Sequence, residues 1–225
     1  MAKEGILRVY RTKSEAKASY DMISGAYDYF AEPFESKFSN RALDMLNIKK
    51  GETVLEIGFG TGHCMERIAT EIGTNGKAFG IDISSGMLKI TKRRLARKNL
   101  EKRVKLTCGD ATHLPYKKRT FDAVFMSFTL ELFDTPEIPI VLKEIKRVLK
   151  PNGRLCVVSM EKEGSDSWLI KLYEWFHKVL PNYVDCRPIY VKQSISDAGY
   201  SIKTKEKVSL LGLPGSIVVA KPRVR

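Results

Sequence analysis

The stretch Val54-Leu55-Glu56-Ile57-Gly58-Phe59-Gly60-Thr61-Gly62-His63 constrains this chain more than any other. An apolar, strand-like run feeds three alternate glycines and then an amphipathic segment, so main chain can approach a ligand closely where a side chain would block it. Counting from Gly58, the sixth position is His63 rather than glycine, so the dinucleotide pattern Gly-x-Gly-x-x-Gly is not met. No Gly-Lys-Ser or Gly-Lys-Thr follows to make a phosphate loop of the Walker kind.

From Gly51 onward, short β-branched runs alternate with longer amphipathic ones, the order expected of strand-helix-strand units around a parallel sheet. Strands are expected at 53–57, 78–82, 104–108, 123–127 and 154–159. Ile138, Val141, Leu142, Ile145, Val148 and Leu149 recur at helical spacing and stop at Pro151-Asn152-Gly153. Ahead of the sheet, the aromatic-rich stretches 14–30 and 34–46 read as added helices. Trp168, Leu169, Leu172, Tyr173, Trp175 and Phe176 open an inserted apolar helix ended by Pro181-Asn182. Runs 200–210 and 216–220, separated by Gly212-Leu213-Pro214-Gly215, suit an antiparallel hairpin.

Length and composition fit that pattern: 225 residues, 43% apolar and 29% charged, suffice for one core and exclude disorder as the main state. The expectation is one domain over 1–225, with a helical lid at 1–50, a ligand-binding core at 51–160, a helical insertion at 161–199 and a hairpin at 200–225. No apolar run approaches the roughly 18 residues of a membrane-spanning helix, and Gly5-Ile6-Leu7 is too short for a secretory signal, so a cytoplasmic location is expected. Cys64, Cys108, Cys156 and Cys186 lie too far apart for a metal knuckle, and are expected as reduced thiols with no metal set.

The formal net charge is +13, which creates an attractive field for phosphate, anionic lipid or acidic substrates. Its densest stretch, 92–105, places Lys92, Arg93, Arg94, Arg97 and Lys98 ahead of Lys102, Arg103 and Lys105 against Glu101 alone. Apolar residues recur between these charges at helical spacing, so the stretch reads first as a solvated helix face. No aromatics are interleaved for base stacking, which weighs against single-strand nucleic-acid binding.

Two more acids complete the pattern. Asp82, in Gly80-Ile81-Asp82-Ile83-Ser84, ends the second expected strand, where its two oxygens could accept both hydroxyls of a ribose. Asp110, in Cys108-Gly109-Asp110-Ala111, ends the third. Three consecutive strands thus converge on one nucleoside-shaped crevice at their carboxyl ends.

With these residues in view, the chain resembles the class I S-adenosylmethionine-dependent methyltransferases over about 51–160. Residues 54–62 look like the family's first motif, 80–84 its second and Asp110-Ala111 its third; Phe121-Asp122-Ala123-Val124 and the run from Glu144 to Gly153 match later ones. The resemblance implies an α/β fold with a doubly wound, Rossmann-like, seven-stranded sheet, mostly parallel with a C-terminal antiparallel hairpin. It implies S-adenosyl-L-methionine as cofactor and S-adenosyl-L-homocysteine as product. Glu56, Gly58, Gly60 and Gly62 would hold the methionine portion, Asp82 the ribose, and Asp110 with Ala111 the adenine amino group. Ile83 and Met87 would pack on the adenine face, Ser127 would line the other side, and Tyr20 joins the set from the lid. A sulfonium cation suits a loop flanked by acids better than an anion-binding nest would, so the missing sixth-position glycine is expected.

Within the family, the segment from Tyr20-Asp21 to Tyr27-Asp28 and the ending from Ala198 to Pro222 resemble the ubiquinone and menaquinone C-methyltransferases and their phospholipid N-methyltransferase relatives. The acceptor expected is a small, lipophilic or amphiphilic molecule, quinol-like or a lipid head group. Tyr20, Tyr27, Tyr29, Phe30 and Phe34 would form the lid, with Trp168, Trp175 and Phe176 as a facing wall. His63, Tyr27 and Glu131 are the expected base or positioning residues. Partner expectations are peripheral contact with an anionic membrane and a homodimer. Methylation of RNA or protein, or cofactor binding without catalysis, are the alternatives; the fourth strand ends Ser127-Phe128-Thr129-Leu130, without the Asn-Pro-Pro-Tyr or Asp-Pro-Pro-Tyr turn of base-amine methylation.

Overall fold

The computed structural model describes residues 6, 8–9, 12–30, 32–162, 187–210 and 212–223, and the side chains of residues 23–34 lie outside the description. Two helices come first, α1 (Lys13–Phe30) and α2 (Glu32–Leu46). Thr12 starts α1 with a capping box, the Thr12 N–H donating to Glu15 Oε2 at 2.7 Å and the Glu15 N–H to Thr12 Oγ1 at 3.3 Å.

The sheet follows, with β1 (Thr53–Ile57), α3 (His63–Glu71), β2 (Lys77–Asp82), α4 (Ser85–Arg97), β3 (Val104–Cys108), β4 (Phe121–Ser127), α5 (Ile138–Val148) and β5 (Leu149–Met160). A short helix, α6 (Val191–Asp197), leads to β6 (Tyr200–Leu210) and β7 (Leu213–Pro222). All seven strands join one sheet in the order β3-β2-β1-β4-β5-β7-β6. The first five run parallel, and β7 pairs antiparallel with both β5 and β6. Chain direction across the sheet reverses between β1 and β4, so the loops leaving those two strands diverge and open a crevice at their carboxyl ends.

Strand alternation divides the core. Leu55 and Ile57 face α5 with Val124, Met126, Leu155 and Val157. Val54, Ala123, Phe125 and Cys156 face the other way, onto Leu43 and Leu46 of α2 and Met65 and Ile68 of α3. Glu56 shares the parity of Val54, which sends a carboxylate to the α2–α3 side at the strand's end.

Two expectations are corrected. Leu210 pairs with Leu213, so Leu213, Pro214 and Gly215 belong to β7 rather than to the turn. Pro214 lies one residue into the strand, where its missing N–H is tolerated. Pro151-Asn152-Gly153 ends α5 as expected, yet it is carried inside β5 as an irregularity between the pairs Phe121–Leu149 and Ala123–Arg154. The expected apolar helix with Trp168, Trp175 and Phe176 lies outside the described residues. Among the described residues, no helix is long and apolar enough to cross a membrane.

Candidate functional site

The loop after β1 is shaped by its glycines. Gly58, Gly60 and Gly62 have φ of +72°, +52° and +88°, the left-handed region that glycine enters without strain. A β-carbon on Gly58 would run into the Thr129 side chain, and one on Gly62 into Thr91. A β-carbon on Gly60 would meet nothing within 4 Å. The first and third glycines therefore let the loop pack, whereas the middle one presents bare main chain to an open space.

Both polar groups of Gly60 are already engaged. Its N–H donates to Asp82 Oδ2 at 2.9 Å, and its carbonyl accepts the Thr91 hydroxyl at 2.7 Å. Asp82 Oδ1 accepts the Ser84 N–H at 2.9 Å. Burial raises the Asp82 carboxyl above its ordinary range, opposed by these N–H donors. Asp82 is thus the brace between the glycine loop and the start of α4, held by main-chain N–H groups from both sides.

Beneath the loop, Glu56 is 2% exposed and its Oε2 has no hydrogen-bond partner. Burial, and then the nearby Asp82 charge, push its carboxyl well above the usual range. A buried carboxylate left this way is costly unless a cation arrives to pair with it. That observation fits the residues to a ligand bearing an ammonium and a sulfonium.

Asp110 closes the third corner. Its Oδ1 accepts the Thr112 N–H at 2.9 Å, and its Oδ2 accepts Lys13 Nζ at 2.5 Å. Burial would raise the Asp110 carboxyl, but the Lys13 ammonium and the Thr112 donors outweigh it and hold the group below its ordinary range.

One pocket of about 210 Å³ brings these residues together. Its lining includes Glu56, Gly58, Gly60, Asp82, Ile83 and Met87, then Asp110, Ala111, Ser127, Tyr20 and His63. Gly62 stands just behind as the residue before α3. Glu131 is elsewhere: it is fully buried under β5, where its Oε1 accepts the Met160 N–H at 3.2 Å, and it is not in the lining. The side chain of Tyr27 lies outside the described residues, as do those of Tyr29, Phe30 and Phe34.

Sequence reasoning missed three groups of lining residues. Val9, Thr12, Lys13 and Ala16 come from the N-terminal segment; Glu35, Ser36 and Ser39 come from α2; Phe128, Leu132, Phe133 and Asp134 follow β4. Ser39 is buried and its hydroxyl lies 2.7 Å from that of Ser127, which ties α2 to the end of β4. The polar stripe of Glu35, Ser36 and Ser39 in an otherwise amphipathic helix was the available signal. Phe128, at φ +48°, was not signalled, because a non-glycine residue in that region is set by its tertiary surroundings.

Comparison with known proteins agrees with this geometry. Residues 54–153 match the family model described as a methyltransferase domain. A demethylmenaquinone methyltransferase of Lactobacillus johnsonii is 36% identical over 139 residues, and the match covers 61% of this chain. The chain spans 55% of that relative's length, a little over half. Among solved structures, the [4+2]-cyclase SpnF superposes with a TM-score of 0.77 at 20% identity, covering 99% of this chain and 100% of that one. An Aquifex aeolicus S-adenosylmethionine-dependent methyltransferase gives a TM-score of 0.66 at 24% identity, covering 89% of this chain and 97% of that one. Since a cyclase and a methyltransferase share this fold, the fold alone does not decide the chemistry. The glycine loop and the strand-end acids all fall inside the span that is similar to a methyltransferase domain, so the site built above and that likeness rest on the same residues.

Proposed function

We propose that this chain transfers a methyl group from S-adenosylmethionine to a small lipophilic or amphiphilic acceptor, quinol-like or a lipid head group. The observation that carries the reading is the composition of the pocket beyond the glycine loop. Glu56, Asp82 and Asp110 stand around the glycine loop, and Tyr20, Phe128, Leu132 and Phe133 add apolar wall beside the polar Glu35, Ser36 and Ser39. An acceptor with an apolar body and one polar reacting atom suits such walls. The name of the Lactobacillus johnsonii relative points the same way.

The bound cofactor would supply an electrophilic methyl group already attached to a good leaving group. The chain's share of the work is to orient the acceptor and exclude water. Glu56 would pair with the ammonium, Asp82 would take the ribose hydroxyls, and Asp110 would take the adenine amine. His63 and Glu35 are titratable side chains of the lining that would take a proton from the acceptor, whereas Glu131 is not in the lining.

Peripheral membrane contact belongs to the same proposal. Lys89, Lys92, Arg93, Arg97 and Lys98 are exposed along α4, with exposed Lys102 and Lys105 beyond it. Each well-placed cation near an anionic bilayer contributes about 1 kcal/mol.

The test is incubation of the purified protein with isotope-labelled S-adenosylmethionine and cell extracts, followed by mass spectrometry of lipid, small-molecule, RNA and protein fractions. Label is expected in a lipid-soluble or amphiphilic small molecule. Label in RNA or protein would overturn the acceptor class, and cofactor binding without transfer to any fraction would overturn the transferase.

A further inference from the structure

Residues 8–9 and 12–21 supply one wall of the cofactor pocket and are fastened at three points. At the first, the Arg8 guanidinium donates to both Asp134 oxygens and the Val9 N–H donates to Asp134 Oδ1 at 3.1 Å. At the second, Lys13 Nζ lies 2.5 Å from Asp110 Oδ2 and 2.5 Å from Glu137 Oε1. At the third, Asp21 Oδ1 accepts the Ser84 hydroxyl at 2.6 Å and the Gly86 N–H at 2.7 Å, where the carboxylate faces the amino end of α4. Between these points, Ala16 and Tyr20 form pocket wall.

The middle fastening differs from an ordinary surface ion pair, which contributes little. Lys13 is the first residue of α1, where the helix dipole opposes a cation, so its place there depends on the carboxylates that flank it. Those carboxylates come from two elements, the end of β3 and the start of α5, and both line the pocket. One of them is the acid assigned to the adenine amine. Thr112 donates from its N–H and its hydroxyl and Lys13 from its ammonium, so one of the four acceptor positions on Asp110 remains, and Lys13 and an adenine amine can bind the same carboxylate together.

We infer that Lys13 is a positioning residue of the cofactor site: by clamping Asp110 and Glu137 it couples closure of α1 over the pocket to occupancy of the adenosine end. An ion pair to Lys13 keeps Asp110 ionised and turned toward the ligand. Reciprocally, a bound adenosine holds Asp110 in the position that Lys13 grips. Linkage then requires both effects to be equal in size: if closed α1 tightens cofactor binding, cofactor must protect α1 by the same factor. The inference rests on the cofactor assignment and is independent of the methyl acceptor.

The test uses the full chain with S-adenosylhomocysteine as probe, read by calorimetric titration and by the rate of tryptic cleavage after Lys17, in the middle of the fastened segment. In the wild type the probe should slow that cleavage. Lys13→Met should weaken probe binding roughly tenfold, within the usual range of such couplings, and abolish the protection. Lys13→Arg should restore both, which a merely structural role for the lysine side chain would not require. Asp21→Asn, which leaves Asp110 and Lys13 intact and lies outside the pocket lining, should speed cleavage of the free protein yet keep the probe's protection, and Lys13→Gln serves if Lys13→Met does not fold. Unchanged or tighter binding by Lys13→Met, protection that survives loss of the Lys13 ammonium, or protection lost in Asp21→Asn would overturn the coupling. Failure of the wild type to bind the probe at all would overturn the cofactor assignment along with it, a result distinguishable from a wild type and variant that bind alike.

Discussion

Asp82 Oδ2 accepts the N–H of Gly60, 2.9 Å away across the carboxyl edge of the sheet, and this bond ties the glycine loop to the side chain proposed to meet the ribose. Asp82→Asn keeps one acceptor oxygen and turns the other into a donor, so either the Gly60 or the Ser84 N–H must lose its partner. The expected result is binding of S-adenosylhomocysteine weaker by about 1.5–3 kcal/mol, together with a lower melting temperature, because the lost bonds are charge-assisted and largely buried. Titration calorimetry and thermal melting check the pair. A variant that binds normally would remove Asp82 from the site.

Glu56 gives a sharper contrast, since stability and binding should move in opposite directions. Its carboxyl is raised well above the usual range by burial and by Asp82. For an acid whose folded-state pKa exceeds its unfolded one, stability is lost as pH rises from the ordinary carboxylate range through the folded pKa. Glu56→Gln should therefore melt higher than the wild type at neutral pH, with the difference shrinking toward pH 4. The same substitution should weaken binding of the ammonium-bearing ligand about tenfold or more. Wild-type affinity should itself grow as pH rises through the free-state pKa of Glu56. A variant that gains no stability, or binds as before, would contradict the role given to this carboxylate.

These two residues also show what was legible in the sequence. Glu56 and Asp82 stood out because a strand read from its β-branched residues fixes which end carries the ligand, and a charged residue at that end has few other reasons to be there. Asp110 was found the same way. Lys13 was not: its distance from Asp110 along the chain is 97 residues, and the helix that carries it is positioned by tertiary contacts that no local spacing encodes. The location of Glu131 was not legible for the converse reason. A loop acid after β4 looks solvated by its neighbours in sequence, yet the chain folds it under β5, where it holds a main-chain N–H. The parallel strands were read well because each is a short apolar run, whereas the hairpin turn was misplaced because Gly212 and Gly215 both signal turns and only pairing of Leu210 with Leu213 chooses between them.

Gly58 tests the cradle without touching charge. A methyl group there meets two obstacles, the Thr129 side chain and a backbone φ of +72°. Gly58→Ala should cost about 1–3 kcal/mol from backbone strain alone and bind S-adenosylhomocysteine at least tenfold more weakly. Adding Thr129→Ala frees the space but leaves the strain, so the double variant should recover only part of the loss. Calorimetry on both variants decides: full recovery would mean that crowding alone set the requirement for glycine.

Arg154 makes the last prediction, at the opposite end of the sheet from the pocket. Its guanidinium bonds Glu52 Oε1 at 2.8 Å and Oε2 at 2.7 Å, and reaches the carbonyls of Leu46 and Asn47 at 2.5 and 2.9 Å, so it fastens the end of α2 to β5. Burial would raise the Glu52 carboxyl, but Arg154 and the Lys49 N–H outweigh it and leave the group below its ordinary range. For an acid with a lowered folded pKa, the stability it contributes is present above the unfolded pKa and is lost as pH falls through the folded one. Arg154→Met should thus destabilise the chain by about 2–3 kcal/mol at neutral pH, and by much less in acid, where Glu52 is neutral in both proteins. Binding of S-adenosylhomocysteine should change little, because the glycine loop and its acids stand at the other ends of the strands. Denaturant melts at pH 3 and pH 7 test the first part; a constant difference between wild type and variant across that range would show that the ion pair is not what Arg154 contributes.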